Sequence, residues 1–250
     1  IMVGGYSYSE SVQRTASYLH VLADGTLDPA YGGAFRTLRL KGGDAGHTTS
    51  FDHMRALSDG SVIAAGEFGG DVMLYKILPS GFGTRRYGTG GLTAIDFGTD
   101  DDSASGLVSL ADGSVVVLAE NVLARVSGDG SVLTTFGESG KASPNFAPST
   151  AEATVTLSDL ALAPDGRLLI VGWISSGDPR MSQGFVAAID HRGQISRGYG
   201  NHGVASFGVG SDMKPFIGYL AAIAGDGSLI VAGAAESSPG IRFGVARVRA

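Results

Sequence analysis

Three consecutive carboxylates, Asp100-Asp101-Asp102, stand between Thr99 and Ser103. Hard cations such as Ca²⁺ take oxygen ligands of this kind, so the run is a candidate cation site. The competing reading is a solvated turn whose Asp and Ser side chains cap local amides. Trp173 is the single tryptophan, and Asp178, Arg180 and Met181 follow it in what reads as a loop. An indole offers a large apolar face and a polar edge, which suits stacking on a sugar ring; the alternative is a ring packed on the rim of the core. His53, beside Asp52, and Asp159 stand at one shared offset, six residues before Asp59-Gly60 and Asp165-Gly166. A histidine and a carboxylate lining one channel can exchange protons. A lone structural hydrogen bond at each is the plainer alternative.

No catalytic motif accompanies these residues. The five histidines show no metal-ligand spacing, and Gly-x-Ser-x-Gly is absent. The stretch 137–141, Gly-Glu-Ser-Gly-Lys, lacks the four-residue gap and the following helix that a phosphate loop needs.

The elements that must position these side chains come from repetition. Asp-Gly pairs between apolar runs recur at Asp59-Gly60, Asp112-Gly113, Asp165-Gly166 and Asp226-Gly227. A second series follows at Asp24-Gly25, Ser80-Gly81, Asp129-Gly130 and Arg192-Gly193. Seven residues after the start of each second-series pair comes an aromatic residue and Gly: Tyr31-Gly32, Tyr87-Gly88, Phe136-Gly137 and Tyr199-Gly200. Asp-Gly between apolar runs predicts tight hairpins of the type in which both turn residues take φ > 0. Strands A are expected over 52–57, 106–110, 157–163 and 218–223. Strands B fall over 1–5, 62–66, 115–119, 168–172 and 229–233 as continuous apolar runs, which implies burial on both faces. Strands C fall over 17–22, 72–78, 122–126, 185–189 and 243–248, and weaker strands D over 36–40, 92–97, 141–146 and 204–207. No long amphipathic helix is expected.

Four antiparallel strands repeated every ~50–60 residues predict an all-β chain. The expected fold is a β-propeller of five four-stranded blades forming one domain over 1–250. Its units run over 1–51, 52–105, 106–156, 157–217 and 218–250, with the first blade lacking strand A and the last lacking strand D. Blades repeat because one sheet alone cannot bury both of its faces. The segments Asp-Gly-Ser-Leu-Ile-Val-Ala-Gly (226–233), Phe-Gly-Val-Ala-Arg-Val (243–248), Asp-Gly-Ser-Val-Leu-Thr-Thr-Phe-Gly (129–137) and Asp-Asp-Ser-Ala-Ser-Gly-Leu (101–107) resemble the bacterial delta-sixty repeat. That resemblance covers nearly the whole chain. It implies a propeller-like repeat in exported, cell-surface or periplasmic proteins, with no single activity and no shared catalytic residues.

Strand direction divides the connections into two ends. The A–B and C–D turns share one end and are uniform; the B–C and D–A connections share the other and vary, with 6–16, 173–184 and 234–242 long and 69–71 and 120–121 short. Binding groups concentrate on such irregular segments, so a glycan, protein or small-ligand partner is expected there. The runner-up readings are a propeller hydrolase with carboxylates at a central channel and a structural segment of a larger surface protein.

Composition sets further bounds. Of 250 residues, 43% are hydrophobic and 17% charged, which excludes a disordered chain. Forty glycines without a three-residue period exclude collagen. Net charge is −6 with no Lys/Arg cluster, so nucleic acid is not an expected partner. No apolar run reaches the ~20 residues of a membrane-inserted helix. There are no cysteines, hence no disulfides, zinc-thiolate sites or cysteine nucleophile. No resident cofactor is expected beyond the candidate Ca²⁺. The opening Ile1-Met2-Val3 falls within a strand pattern, so residues upstream of it are expected.

Overall fold

The structure, a computed structural model, describes residues 1–9, 12–31, 35–38, 49–146, 153–175, 182–208, 216–237 and 240–249. Among these are 18 strands in five antiparallel sheets, with a single 3₁₀ turn at Pro29–Tyr31. The first sheet comprises β1 (Met2–Ser9), β2 (Val12–His20) and β3 (Arg36–Thr37). The second comprises β4 (His53–Ala56), β5 (Val62–Phe68), β6 (Asp71–Ile77) and β7 (Leu92–Ile95). The third comprises β8 (Ala104–Ser109), β9 (Val115–Ala119), β10 (Val122–Val126) and β11 (Lys141–Ala142). The fourth comprises β12 (Thr154–Leu162), β13 (Leu168–Ser175), β14 (Gln183–Ile189) and β15 (Val204–Phe207). The fifth comprises β16 (Phe216–Ile223), β17 (Leu229–Ser237) and β18 (Gly240–Val248). Each sheet is an up-and-down meander in chain order, and the A, B, C, D assignments hold. The chain divides into two compact units, Ile1–Glu120 with Arg125–Val132, and Asn121–Ala124 with Leu133–Ala250.

The Asp-Gly turns differ from the sequence expectation. Only their glycines have positive φ, between +77° and +91°; the preceding Asp, Ser or Arg residues do not. Gly60 N–H donates to Leu57 O (3.1 Å), and Leu57 N–H donates to Ser61 O (2.8 Å). This is a type I turn followed by one left-handed residue, the three-residue hairpin loop with its glycine bulge. Leu110 with Ser114, Ala163 with Arg167 and Ala224 with Ser228 repeat the closing bond at 2.8, 2.9 and 2.8 Å. Asp fits the position before Gly because its carboxylate accepts the N–H two residues on: Asp59 from Ser61, Asp112 from Ser114, Asp165 from Arg167 and Asp226 from Ser228. The two-residue turn with both φ positive occurs at the other end of the sheets, at Gly69 (64°) and Gly70 (93°), and at Glu120 (48°) and Asn121 (62°).

Burial follows the B strands. Leu168, Leu169, Ile170 and Val171 are all fully buried, because β13 is covered on both faces. Leu169, Val171, Val186 and Ala188 of the fourth sheet pack on Leu229, Val231 and Phe216 of the fifth. Ala16 and Tyr18 of the first sheet pack on Val62, Ala64, Met73 and Ile77 of the second. The repeated aromatics Tyr31, Tyr87, Phe136 and Tyr199 are buried too. Two of the corners they head donate a backbone hydrogen bond into the following repeat's turn: Gly88 N–H to Asp129 O (2.8 Å) and Gly137 N–H to Arg192 O (2.9 Å). A Cβ on Gly81 would lie 2.7 Å from the Tyr31 ring, so the turn glycine also makes room for the preceding repeat's aromatic. The motif spacing is thereby a packing rule: aromatic corner of one repeat against turn glycine of the next.

Candidate functional site

Among the described residues, the long B–C connections carry the hairpin pairing beyond the expected strand ends. β1 and β2 stay paired as far as Ser9↔Val12, and β17 and β18 as far as Ser237↔Gly240. β13 continues to Ser175 before β14 resumes at Gln183. The first, fourth and fifth sheets therefore carry arms, while the second and third end in two-residue turns.

Trp173 lies on the fourth-sheet arm, opposite Thr156 and Gly184. It is half-buried, and Tyr219 meets it edge-on, ring centroids 5.9 Å apart at 82°. Tyr219 occupies the register shift in β16 between Gly218 and Leu220. A bulge re-aims a side chain, and Tyr219 remains 49% exposed. Equivalent shifts occur in β8 between Ala104 and Gly106, and in β12 between Leu157 and Asp159. The structure thus gives Trp173 an aromatic partner that sequence reasoning missed; the irregularity that presents Tyr219 has no single-residue signal. Asp178 and Arg180 lie outside the described residues.

The carboxylates that gather are not the three consecutive ones. Asp71, Asp96 and Asp102 bring one oxygen each within 4.8 Å of one another, while Asp100 and Asp101 are exposed. Asp71 follows the Gly69-Gly70 turn, Asp96 follows β7, and the loop between Asp96 and Asp102 folds over that turn. Asp102 N–H donates to Gly70 O (2.8 Å), and a Cβ on Gly70 would lie 2.8 Å from Asp100 O. Asp102 is fully buried, and its carboxylate accepts Phe97 N–H, Thr99 N–H (3.2 Å) and the Thr99 hydroxyl (2.6 Å). Oxygen ligands suit Ca²⁺, but these donors already compensate the Asp102 charge. The loop-capping reading accounts for Asp102 in full, and Asp71 and Asp96 carry the remainder of the candidate.

His53 and Asp159 fall in different units. His53 is half-buried in β4, opposite Ala65. Asp159 is buried and acts as a clamp: its carboxylate accepts Leu160 N–H (2.7 Å) and Ala221 N–H of the next sheet (2.8 Å). Beside it, the Ser158 hydroxyl donates to Gly218 O (2.6 Å). The A strands of neighbouring sheets thus run against each other, and Asp159 joins two of them.

At the Asp-Gly end the side chains repeat a single electrostatic device. Asp59 pairs with Lys76, Asp112 with Arg125, and Asp226 with Arg247, each cation lying on the C strand. In the fourth sheet that C-strand position is Ala188, opposite Leu169, and the cation moves to Arg167 of the turn itself, 2.6 Å from Asp165. The hydrogen bonds of Ser61 and the ammonium of Lys76 hold the Asp59 carboxyl down at about 2.

His20 stands at the matching C-strand position of the first sheet and departs from the pattern. Its Nδ1 lies 2.7 Å from Asp28 Oδ2, and its ring packs on Tyr31 at 4.8 Å. The His20 hydrogen bond, aided by Ala30 N–H, holds the Asp28 carboxyl below the usual carboxylate range. Both residues line a cavity of about 530 Å³ together with Met2, Met54 and Arg55. Sequence reasoning did not single out this pair, although a histidine where other repeats place a cation was the available signal.

No protein-family model matches the chain, and no curated protein matches it. Solved structures do. A protein of unknown function from Bacteroides caccae shares 12% identity over all of this chain and 72% of its own, TM-score 0.49. The extracellular domain of a one-component system from B. thetaiotaomicron shares 10% identity over 95% of this chain and 34% of its own, TM-score 0.35. A GH43 glycoside hydrolase shares 11% over 99% of this chain and 47% of its own, TM-score 0.44. The chain thus spans about a third to a half of the latter two. Among the described residues, no helix is long and apolar enough to cross a membrane.

Proposed function

We propose that this chain is an exported binding module built from delta-sixty-type propeller blades, with incomplete first and last blades. Its arm-bearing end recognises a glycan. The observation that carries the reading is the Trp173–Tyr219 pair: two rings at 82°, one half-buried as a support and the other half-exposed. Such a corner offers an apolar wall to the axial hydrogens of a pyranose, while the indole N–H and phenol stay available to hydroxyls. The export assignment rests on the repeat resemblance.

A glycan array probed with labelled protein tests this. Binding to at least one sugar class is expected, lost in Trp173→Ala and in Tyr219→Ala. A blank array, or binding indifferent to both substitutions, overturns the sugar reading and leaves a protein partner or a spacer role. The hydrolase alternative is favoured by one observation, the His20–Asp28 pair in its cavity, since a carboxylate fixes the tautomer of a basic histidine. Ester or glycoside turnover abolished by His20→Ala would establish it.

A further inference from the structure

Among the described residues, one repeat meets the C–D turn of the next at Gly81, Gly130 and Gly193, and the third contact lacks a bond that the first two have. At the first, the Tyr18 hydroxyl donates to Gly81 O (3.0 Å). At the second, the Thr93 hydroxyl donates to Gly130 O (2.6 Å). Register identifies the matching residues at the third. Tyr18, Leu74 and Leu123 each stand three residues before the strand-end residue that bridges to its own turn, at Val21, Ile77 and Val126. Thr93 opposes Leu74, and Ala142 opposes Leu123. At the two positions that supply a hydroxyl to Gly81 and Gly130, the third contact therefore has Leu123 and Ala142. Neither carries a hydroxyl, so Gly193 O lacks the side-chain donor that serves its two counterparts.

A cavity of about 680 Å³ lies at this contact, and both Ala142 and Gly193 line it. Its lining residues all belong to the unit formed by Asn121–Ala124 and Leu133–Ala250. The space falls within the ~300–1,000 Å³ of small-molecule pockets. Around it stand Glu138, Ser139, Ser143 and Gln194, all exposed. A carboxylate accepts hydrogen bonds, a carboxamide donates and accepts, and a hydroxyl does either. Among the described lining residues there is no aromatic ring, so hydrogen bonding rather than stacking selects the occupant. Backbone bonds hold the rim in place. Gly137 N–H donates to Arg192 O (2.9 Å), Glu138 N–H to Lys141 O (2.6 Å) and Lys141 N–H to Glu138 O (3.0 Å). Between the last two, Ser139 (φ +53°) and Gly140 (φ +95°) form a tight turn.

We propose that this cavity binds a free monosaccharide, one of whose hydroxyls donates to Gly193 O as the Thr93 hydroxyl donates to Gly130 O. The ligand class follows from the vacancy. A hydroxyl serves the acceptor at both other contacts, and the surrounding side chains supply the mixed donors and acceptors that the remaining sugar hydroxyls need. The site is separate from the Trp173–Tyr219 pair. It lies at the opposite, Asp-Gly end of the sheets, and it stands whether or not the arm-bearing end binds a glycan.

Amide chemical-shift titrations of isotope-labelled protein with glucose, galactose, mannose, xylose and arabinose, each added separately, test this. At least one sugar is expected to move the Gly137, Glu138, Gly193 and Gln194 amides saturably. Ala142→Thr supplies the missing hydroxyl from the protein itself. It is expected to weaken that binding about fivefold to tenfold, since the sugar loses its bond to Gly193 O. The same variant is expected to melt a few degrees higher. Trp173→Ala is expected to leave the shifts at these four amides in place, which separates this site from the arm-bearing end. Should Ala142→Thr fail to fold by its thermal melt, Gln194→Ala removes an exposed lining carboxamide and is expected to weaken binding about fivefold. Shifts absent with every sugar would overturn the proposal. So would shifts undiminished in Ala142→Thr (or, where that variant is unfolded, in Gln194→Ala), or shifts abolished by Trp173→Ala.

Discussion

The two ends of the sheets obey different rules. At the Asp-Gly end, every A–B turn repeats one backbone conformation, one carboxylate-to-amide bond and one ion pair. At the other end, two hairpins close in two residues while three extend as arms. The C–D turns at the same end, at Gly81, Gly130 and Gly193, are the seats of the neighbouring repeat's aromatic corner, so their shape is fixed from outside as well as from within. The arms vary in extent from sheet to sheet, and the second and third sheets do without them. A binding function on the arms costs the fold little; a change in the turns is transmitted to the next sheet.

Glycine substitutions break this comparison most severely. Gly137 has φ +58°, and a Cβ there would lie 1.9 Å from Lys141 O, a backbone atom that cannot move aside. Gly113 has φ +80° but nothing within 4 Å of its Cβ position. Both pay the left-handed conformational cost in an alanine variant, about 1 kcal/mol or somewhat more. Gly137→Ala adds a clash at an inter-repeat corner and is expected to cost about 3 kcal/mol in all. Urea melts of the two variants measure the difference. Equal losses would mean that the corner is not a packing constraint.

Asp159 gives the next largest effect. Asp159→Ala leaves Leu160 N–H and Ala221 N–H without their acceptor, and a buried unsatisfied amide costs roughly 1–3 kcal/mol. The expected outcome is a loss of about 2 kcal/mol or more in urea melts, with glycan binding by the folded fraction unchanged. Stability retained together with lost function would return Asp159 to the catalytic reading.

The sequence made the strands, their order and the turn positions legible, because Asp-Gly and the aromatic-Gly offset are local signals of backbone conformation. The turn type was not legible. Asp-Gly fits both the two-residue and the three-residue hairpin, and the choice depends on whether the residue before the glycine can remain at negative φ and bond the amide two residues on. The aspartate group was legible only at Asp102. Asp71 and Asp96 join it through the fold of a loop over a turn, and no spacing encodes that. Trp173 stood out by its rarity, whereas Tyr219 became its partner through a bulge that shifts β16 by one residue. Tertiary contacts between neighbouring sheets decided each of these, and a repeat read one unit at a time does not contain them.

Acid sharpens the contrast between ends, since the shifted carboxylates cluster at the turns. Asp24, Asp59, Asp112, Asp129, Asp165 and Asp226 all lie below their ordinary value. For Asp59 the folded value is about 2 against an ordinary 3.8, so the unfolded chain takes up its proton first. Its stabilisation is complete above about pH 4 and is lost as pH falls through 2. Melting temperature should therefore decline over that window, and Asp59→Asn should flatten the decline. A decline of the same slope in Asp59→Asn would remove this turn from the account.

The smallest effect tests whether the displaced cation in the fourth sheet is equivalent to the others. Asp165 is served by Arg167 within the turn, and Asp112 by Arg125 from the neighbouring strand. Exposed ion pairs contribute at most about 1 kcal/mol, so Arg125→Ala should lower the melting temperature by only a few degrees. Adding Ser114→Arg rebuilds the fourth sheet's arrangement in the third, because residue 114 holds the same place after Asp112 that Arg167 holds after Asp165. Recovery of most of the lost degrees in the double variant would show that the turn requires a cation near its aspartate and is indifferent to which strand supplies it. No recovery would mean that the turn depends on the Ser114 hydroxyl, which donates to Asp112 (2.6 Å) and accepts from Arg125 (3.1 Å) and which the double variant removes.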